Sequence, residues 1–418
     1  MDATPNPRAA DLRDRVRAFV DTEIAPIEEQ YHRDLAAARA VGQAWQPLPV
    51  LGELKAKARA QGLWNLFLPA GHEGDYARRF GTDGGIGLTN VEYAPVAEQM
   101  GRSFIAPDIF NCNAPDTGNM EVLLKYGSDA QREQWLEPLL EGSIRSAFCM
   151  TEPAVASSDA TTMELTAVVD GDEVVLNGRK WFSTGVGHPD CEVLIVMGLT
   201  DPEAHKHTRH SMVLVPRKAP GVEVVRMLPT MGRFDEPGGH GEVSFTDVRV
   251  PLDSIIAGPG RAFEIAQGRL GPGRVHHCMR LVGLAERTLE LACRRSLDRV
   301  AFGKPLANLG GNRERIAEAR IAINSTRLLI LDAAAKLDSG GAINALSEVS
   351  QIKVAAPRMA QHIADFAIQI HGGAGMTDDF PLAAAWTNAR ALRLADGPDE
   401  VHLGMVARLE LGKYGATR

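Results

Sequence analysis

Leu165-Thr166-Ala167-Val168-Val169-Asp170-Gly171-Asp172-Glu173-Val174-Val175-Leu176-Asn177-Gly178 is the stretch that decides the fold. Two β-branched runs, Leu165–Val169 and Val174–Leu176, flank Asp170-Gly171, and a second turn dipeptide, Asn177-Gly178, follows. Asp-Gly and Asn-Gly reach the positive φ angles of tight turns, so this stretch spells antiparallel strands and not a helix. Similar short runs follow at Val193–Val196, Met212–Val215, Val222–Val225 and Val243–Val250. Together they predict a β domain over residues 146–257.

On both sides of it the apolar spacing lengthens to three and four. Upstream, from Arg8 to about Gly142, Ala-, Leu- and Glu-rich segments are broken by Gln46–Pro49 and Pro69–Gly74, which predicts a helical domain over residues 1–145. Downstream, Val275, Cys278, Val282, Ala285, Leu289, Ala292 and Ser296 form one buried helix face. Ile316, Ala319, Ile323, Thr326, Ile330, Ala333 and Leu337 form a second, and a third helix is expected from about Ile343 to Ile370. Long helices side by side predict a four-helix bundle over residues 258–418. The expected fold class is therefore α+β: an N-terminal helical domain, a middle β domain and a C-terminal helical bundle, without internal repeats.

Composition narrows the function. The chain has 418 residues, 44% hydrophobic and 23% charged, an ordinary globular balance. A net charge of −8 disfavours nucleic acid as the main partner. Five scattered cysteines, never spaced as Cys-x-x-Cys, suggest neither a disulfide framework nor a zinc site, and no apolar run approaches membrane-spanning length. The stretch from Met1 to Ile24 lacks an apolar targeting core, so the expected location is cytoplasmic. Dinucleotide Gly-x-Gly-x-x-Gly, P-loop, zincin and hydrolase-elbow motifs are all missing. His276, His277 and Cys278 are adjacent on a predicted helix and diverge by about 100° per residue, so no metal site is expected there. His205, His207 and His210 read as a solvated loop.

Three further stretches invite a large planar ligand. In Phe148-Cys149-Met150-Thr151-Glu152-Pro153-Ala154-Val155-Ala156-Ser157-Ser158-Asp159, a strand enters a loop of small and hydroxyl residues. Small residues let backbone approach a ligand, and the hydroxyls offer hydrogen bonds; the same text also suits a plain strand end. In Lys180-Trp181-Phe182-Ser183-Thr184-Gly185, two aromatics precede two hydroxyls, suited either to a core or to the face and edge of a heterocycle. Gln369-Ile370-His371-Gly372-Gly373-Ala374-Gly375-Met376 is a Gly-rich break whose amides suit a pyrophosphate or simply a tight turn.

In this order the three resemble the acyl-CoA dehydrogenase family, and the resemblance covers almost the whole chain. Further matches are Tyr126-Gly127 to Gly142 with Gln131, Trp135, Leu136, Pro138 and Leu139; Phe245-Thr246-Asp247-Val248-Arg249-Val250-Pro251; and Arg299-Val300-Ala301-Phe302-Gly303-Lys304. The resemblance implies FAD as cofactor, lying between the β domain and the last helical domain. It implies that Phe148, Met150 and Thr151 lie on the isoalloxazine, that Ser157 and Ser158 lie near the pyrophosphate and substrate, and that Phe182, Ser183 and Thr184 lie against the ring and its N5. Arg299, Phe302, Gln369, Gly372 and Gly373 would meet the dinucleotide from a neighbouring subunit, in a homodimer or homotetramer, and Pro398 and Glu400 would add cofactor contacts.

The family removes a proton α to a thioester carbonyl with a carboxylate while a hydride leaves the β carbon for the flavin. In many members a glutamate before Gly-Thr supplies the carboxylate; here Ala395-Asp396-Gly397-Pro398-Asp399-Glu400 occupies the equivalent stretch, which makes Asp396 the implied base. Asp396, Pro398, Asp399 and Glu400 also read as a helix start. Arg274 matches the family arginine facing the base, and Ser157, Arg274 and Gly397 are the implied substrate contacts. Gly268-Arg269-Leu270-Gly271-Pro272-Gly273-Arg274-Val275-His276-His277-Cys278-Met279-Arg280 is similar to the branch that acts on long, branched or hydroxylated acyl chains, where aspartate is the base. Expected partners are an acyl-CoA and an electron-transfer flavoprotein. Two departures stand out: Ser157-Ser158-Asp159 replaces the usual Gly-Ser-Asp in a loop one residue longer, and Gly310 or its neighbours replace a glutamine that often touches adenine. A nitroalkane oxidase-like flavin oxidase and a non-catalytic nucleic-acid-binding relative are the competing expectations.

Overall fold

The computed structural model describes residues 6–69, 75–81 and 87–415. Residues 1–5 of the amino-terminal reading, residues 70–74 of the Pro69–Gly74 cluster and the side chains of residues 270–272 lie outside what is described. The chain forms two compact units: Gln30–Gly87 with Asp108–Leu270, and Met1–Glu29 with Leu88–Pro107 and Gly271–Arg418. The amino-terminal helical stretch thus contributes to both.

In the first unit the strands are β1 (Arg145–Cys149), β2 (Thr166–Asp170), β3 (Glu173–Thr184), β4 (Cys191–Leu199), β5 (His210–Pro216), β6 (Val222–Met227) and β7 (His240–Pro251). They form one sheet in the order β1-β4-β2-β3-β7-β6, with β5 also pairing β4. Asp170-Gly171 turns β2 into β3, with Asp170 opposite Glu173 and Gly171 at φ 65°. Asn177-Gly178 does not turn the chain, contrary to the sequence expectation. It sits inside β3, where the register against β7 shifts between Leu176 and Gly178. Gly178 has φ 142°, a side chain there would meet Leu165 Cα at 2.9 Å, and Asn177 Oδ1 instead accepts from Asp247 N. The dipeptide is a bulge, which bends a strand where a turn would end it. Ala147, Cys149, Leu176, Leu194, Val196, Val213, Val243 and Phe245 meet in the core on one side of the sheet.

Helices Pro49–Ala60 and Asp116–Tyr126 belong to the same unit. Ionic contacts hold this end of the sheet: Arg145 bridges Asp108 (2.6 Å) and Asp116 (3.0 Å), and Lys55 meets Asp108 (3.0 Å). Burial raises the Asp108 carboxyl, yet Arg145 and Lys55 outweigh it and hold the group down to about 2.

The second unit is helical, with Asn312–Asn344, Leu346–His371, Leu382–Ala391 and Asp399–Gly412 and the helix Ala262–Asp298 from Gly271 onward. All seven residues of the first predicted apolar face are buried. Of the second, Ala319, Ile323, Thr326, Ile330, Ala333 and Leu337 are buried. The third helix starts at Leu346, later than expected, because Gly341 takes φ 70° and breaks the preceding helix, leaving Ile343 exposed. Ala292, Phe366, Ala367, Ile370 and Leu382 pack together. Helix Asn90–Met100 joins this unit because Gly283 leaves room for it: a side chain there would strike Glu98 O, and Arg327 forks onto Glu98 at 2.8 and 2.9 Å.

Candidate functional site

In the β unit, β1 ends at Cys149 and the chain continues beside β3, where Trp181 N donates to Thr151 O (2.9 Å). The next residue organises the loop. Glu152 is buried; its carboxylate accepts from Glu164 N (2.8 Å) and Leu165 N (2.9 Å) and pairs with Lys180 Nζ (2.8 Å). Lys180, fully buried, also donates to Met150 O (2.8 Å). Burial pulls its ammonium pKa down and Glu152 opposes that shift. Ser157 Oγ accepts from Glu152 N (2.9 Å), so this hydroxyl braces the loop internally, whereas Ser158 is exposed. Phe148, Met150 and Thr151 are half-buried, and the Arg269 guanidinium lies 3.9 Å over the Phe148 ring. Burial pushes the nearby Glu121 carboxyl up to about 8, against Arg269 and Lys125.

At the far end of β3 the register shifts again between Lys180 and Ser183, and Phe182 takes φ 49°. A bulge of this kind re-aims a side chain: the Phe182 ring is 44% exposed. Ser183, expected with the cofactor contacts, is fully buried, beside the Cys149 thiol. Its side chain belongs to the core because the bulge turns its neighbour outward in its place. Thr184 is half-buried, 2.8 Å from His240 Nδ1. The Trp181 indole N–H is buried without a partner.

In the helical unit Asp396 follows a run of turns, at φ 57°, with Gly397 at φ 101°. Aspartate is among the few residues that tolerate this left-handed region. Arg274 Nε donates to the Asp396 carbonyl (3.1 Å), and His402 Nε2 lies 3.2 Å from the same oxygen. A carbonyl only accepts, so His402 donates from Nε2. Arg274 thus holds the backbone of Asp396. Burial pulls the Arg274 guanidinium pKa down and Asp396 opposes it, while burial pushes His402 down to about 4 and keeps it neutral. The Asp396 side chain is 22% exposed, and His277 Nε2 lies 3.6 Å from its Oδ2. Asp399 is engaged otherwise: buried, it takes Arg358 (3.0 Å) and Arg393 (2.8 Å). Pro398 caps the helix Asp399–Gly412, one residue before its expected first turn, and Glu400 is exposed.

Elsewhere in this unit, Arg299 and Phe302 lie at a hairpin of Val300–Ala301 with Lys304–Pro305. Phe302 is 96% exposed at φ 51°. Gln369, Gly372 and Gly373 are exposed at the end of helix Leu346–His371. Among the described residues no His, Cys, Asp and Glu group is fit to hold a metal. His276 packs edge-on against Tyr93 at 4.8 Å. His210 departs from its reading as a loop residue: it starts β5, is buried, and bonds Met163 O at 2.9 Å, because the strand begins earlier than its hydrophobic run. The Glu152–Lys180 pair, His277 and His240 escaped the sequence reading, since their partners are distant in sequence or lie outside recognisable spacing.

The chain is similar to known proteins over almost its whole length. The acyl-CoA dehydrogenase N-terminal, middle and C-terminal domains match residues 6–143, 147–248 and 260–411. The FadE2 protein of Mycobacterium tuberculosis, named as an acyl-CoA dehydrogenase, is 48% identical over 418 residues, covering 100% of this chain and 98% of the relative. Acyl-CoA dehydrogenase family member 11 of Homo sapiens is 50% identical over 399 residues, covering 95% of this chain and 49% of its own length. The chain spans about half or less of the mammalian relatives it matches. A solved Mycobacterium abscessus structure carrying the acyl-CoA dehydrogenase name is 68% identical with TM-score 0.93, covering 99% of this chain and 100% of that one. With all three domain types matched in order and a full-length relative at 48% identity, the chain belongs to the acyl-CoA dehydrogenase family.

Proposed function

We propose that this chain catalyses FAD-dependent α,β-desaturation of an acyl-CoA thioester, with Asp396 as the base that takes the α proton. The observation that carries the reading is the Asp396 turn. Its carbonyl is clamped by Arg274 and His402, while its side chain stays 22% exposed. Aspartate is shorter than glutamate by about 1.5 Å, and a general base must come within hydrogen-bond reach of its proton. A backbone held in the left-handed region with glycine next to it is a way to bring a shorter base forward. The alternative carboxylates are unsuited: Asp399 is committed to two arginines, and Glu400 is exposed.

The β unit suits the cofactor. Phe182 is turned outward, the Trp181 indole N–H lacks a partner, and the loop from Pro153 to Ser158 is small-sided. Phe148, Met150, Thr151, Ser157, Ser158, Phe182 and Thr184 would hold FAD. When bound, it supplies the two-electron oxidation, accepting a hydride from the β carbon. Ser157 acts by bracing the loop, Ser158 by contact. Arg299, Phe302, Gln369, Gly372 and Gly373 serve a second copy's FAD, and an almost wholly exposed phenylalanine supports such a partner. The assembly is a homodimer or homotetramer. The substrate is a medium- to long-chain or branched acyl-CoA, bound with help from Arg274 and Gly397, and an electron-transfer flavoprotein receives the electrons.

The test is anaerobic titration of the purified yellow protein with acyl-CoAs differing in length and branching. Bleaching of the flavin by some of them is expected. A protein that no acyl-CoA bleaches, or that consumes O2 only with nitroalkanes, would contradict the reading.

A further inference from the structure

β3 ends on Thr184, and its partner across the ladder is His240, the first residue of β7. Thr184 Oγ1 lies 2.8 Å from His240 Nδ1, and His240 Nε2 lies 3.2 Å from Asp235 Oδ2. Asp235 is fixed from both sides of its loop. It stands at φ 54°, its carbonyl accepts from Gly239 N (2.9 Å), and the adjacent Glu236 forks onto Arg39 at 2.8 and 2.9 Å. Burial raises the Asp235 carboxyl pKa, but His240, Arg233 and Thr230 outweigh it and hold the group below its ordinary value. It is therefore an ionised, acceptor-only partner.

With the His240 imidazole neutral, those facts set the direction of every proton in the chain. The carboxylate accepts from Nε2, so in the neutral imidazole Nδ1 carries no proton and accepts from the Thr184 hydroxyl. The other acceptor within reach of that hydroxyl, Phe182 O, is 3.4 Å away, near the limit of a hydrogen bond. Once its proton is engaged, the Thr184 oxygen offers only lone pairs to any other group.

We propose that His240 and Asp235 are positioning residues that fix the Thr184 hydroxyl as a hydrogen-bond acceptor toward the cofactor. The inference rests on the reading above that Thr184 meets the flavin at N5. An acceptor matches the N–H of the reduced ring and opposes the lone pair of the oxidised one, so the chain favours the reduced form. Neither His240 nor Asp235 needs to touch substrate for this.

The experiment compares wild type, His240→Ala, Asp235→Asn, Thr184→Val and the Thr184→Val/His240→Ala double variant. It reads the midpoint potential of bound FAD by anaerobic reductive titration. In wild type it also reads the His240 tautomer by 15N NMR. His240→Ala frees the hydroxyl to donate, and should lower the potential by about tenfold in the two-electron equilibrium, ~30 mV. Asp235→Asn should shift it the same way by less, and His240→Ala should do nothing in the Thr184→Val background. An Nε2–H tautomer is expected. An unmoved potential in His240→Ala with FAD retained, an equal shift in both backgrounds, or an Nδ1–H tautomer or doubly protonated imidazolium would each overturn the inference. The two readings fail separately. Bleaching by acyl-CoA without a His240→Ala shift removes this inference alone; the shift and tautomer in a protein that no acyl-CoA bleaches support it while removing the desaturase reading.

Discussion

Asp396 and Gly397 illustrate how much chemistry one turn can carry. The left-handed Asp396 leaves its carbonyl facing Arg274 and His402, and Gly397 follows at φ 101° with His402 Nε2 only 3.0 Å from where a Cβ would be. Gly397→Ala therefore strains the backbone and pushes on the imidazole that holds the turn. Because this occurs in an otherwise intact helical unit, substrate-dependent flavin reduction should fall by about tenfold or more while FAD stays bound; stopped-flow absorbance checks it. Sequence pattern alone read this segment as a helix start, and Pro398 and Asp399 do form one. The base role came from the family resemblance. His277 could not be anticipated, since its approach to Asp396 joins positions on different elements.

Among the elements, β3 does most to shape the candidate cofactor patch. Its alternation is interrupted twice, at Leu176/Gly178 and Lys180/Ser183, and the second interruption turns Phe182 outward and Ser183 inward. Strand runs and the Asp170-Gly171 hairpin were legible because local composition decides them. The bulges were not, because a strand and a bulged strand share one composition and pairing with β7 decides between them. Lys180 shows the energetic side. Lys180→Met leaves Glu152 buried without its cation, which costs about 3–5 kcal/mol, and releases the Met150 carbonyl at the head of the loop. Such protein should unfold at lower denaturant and retain less FAD. Lys180→Met with Glu152→Gln should recover part of the stability, and urea titration with flavin content reads both.

At the scale of the whole molecule, the order helical, β, helical was legible from the period of the apolar residues. The grouping of amino-terminal helices with two different units was not, because it depends on close approaches such as Glu98 to Gly283. Buried neutral histidines give the molecule an acid-sensitive side. Burial pushes His276 down to about 3, and His188 and His402 down to about 4, from an ordinary value near 6.5. Unfolded chains bind protons at these three sites between roughly pH 6.5 and 4 while the folded chain does not, so they lower stability as pH drops through that window and outnumber Glu121, whose raised carboxyl works the other way. Urea midpoints from pH 7 to 4.5 should decline, and His276→Phe, which keeps a ring against Tyr93, should lessen the slope. A midpoint independent of pH over that range would contradict these environments.

Asp396 is the proposed base, and the rate of flavin reduction by acyl-CoA in Asp396→Asn is the decisive readout of that role. Asparagine keeps the size and the left-handed tolerance of the turn, so FAD and acyl-CoA should still bind. Losing the anionic base should slow anaerobic flavin reduction by about 10²-fold or more, the scale of general-base catalysis. Asp396→Glu should keep partial activity, the base surviving with its reach changed by one methylene. An Asp396→Asn protein that binds acyl-CoA and reduces its flavin at the wild-type rate would contradict the account at its centre.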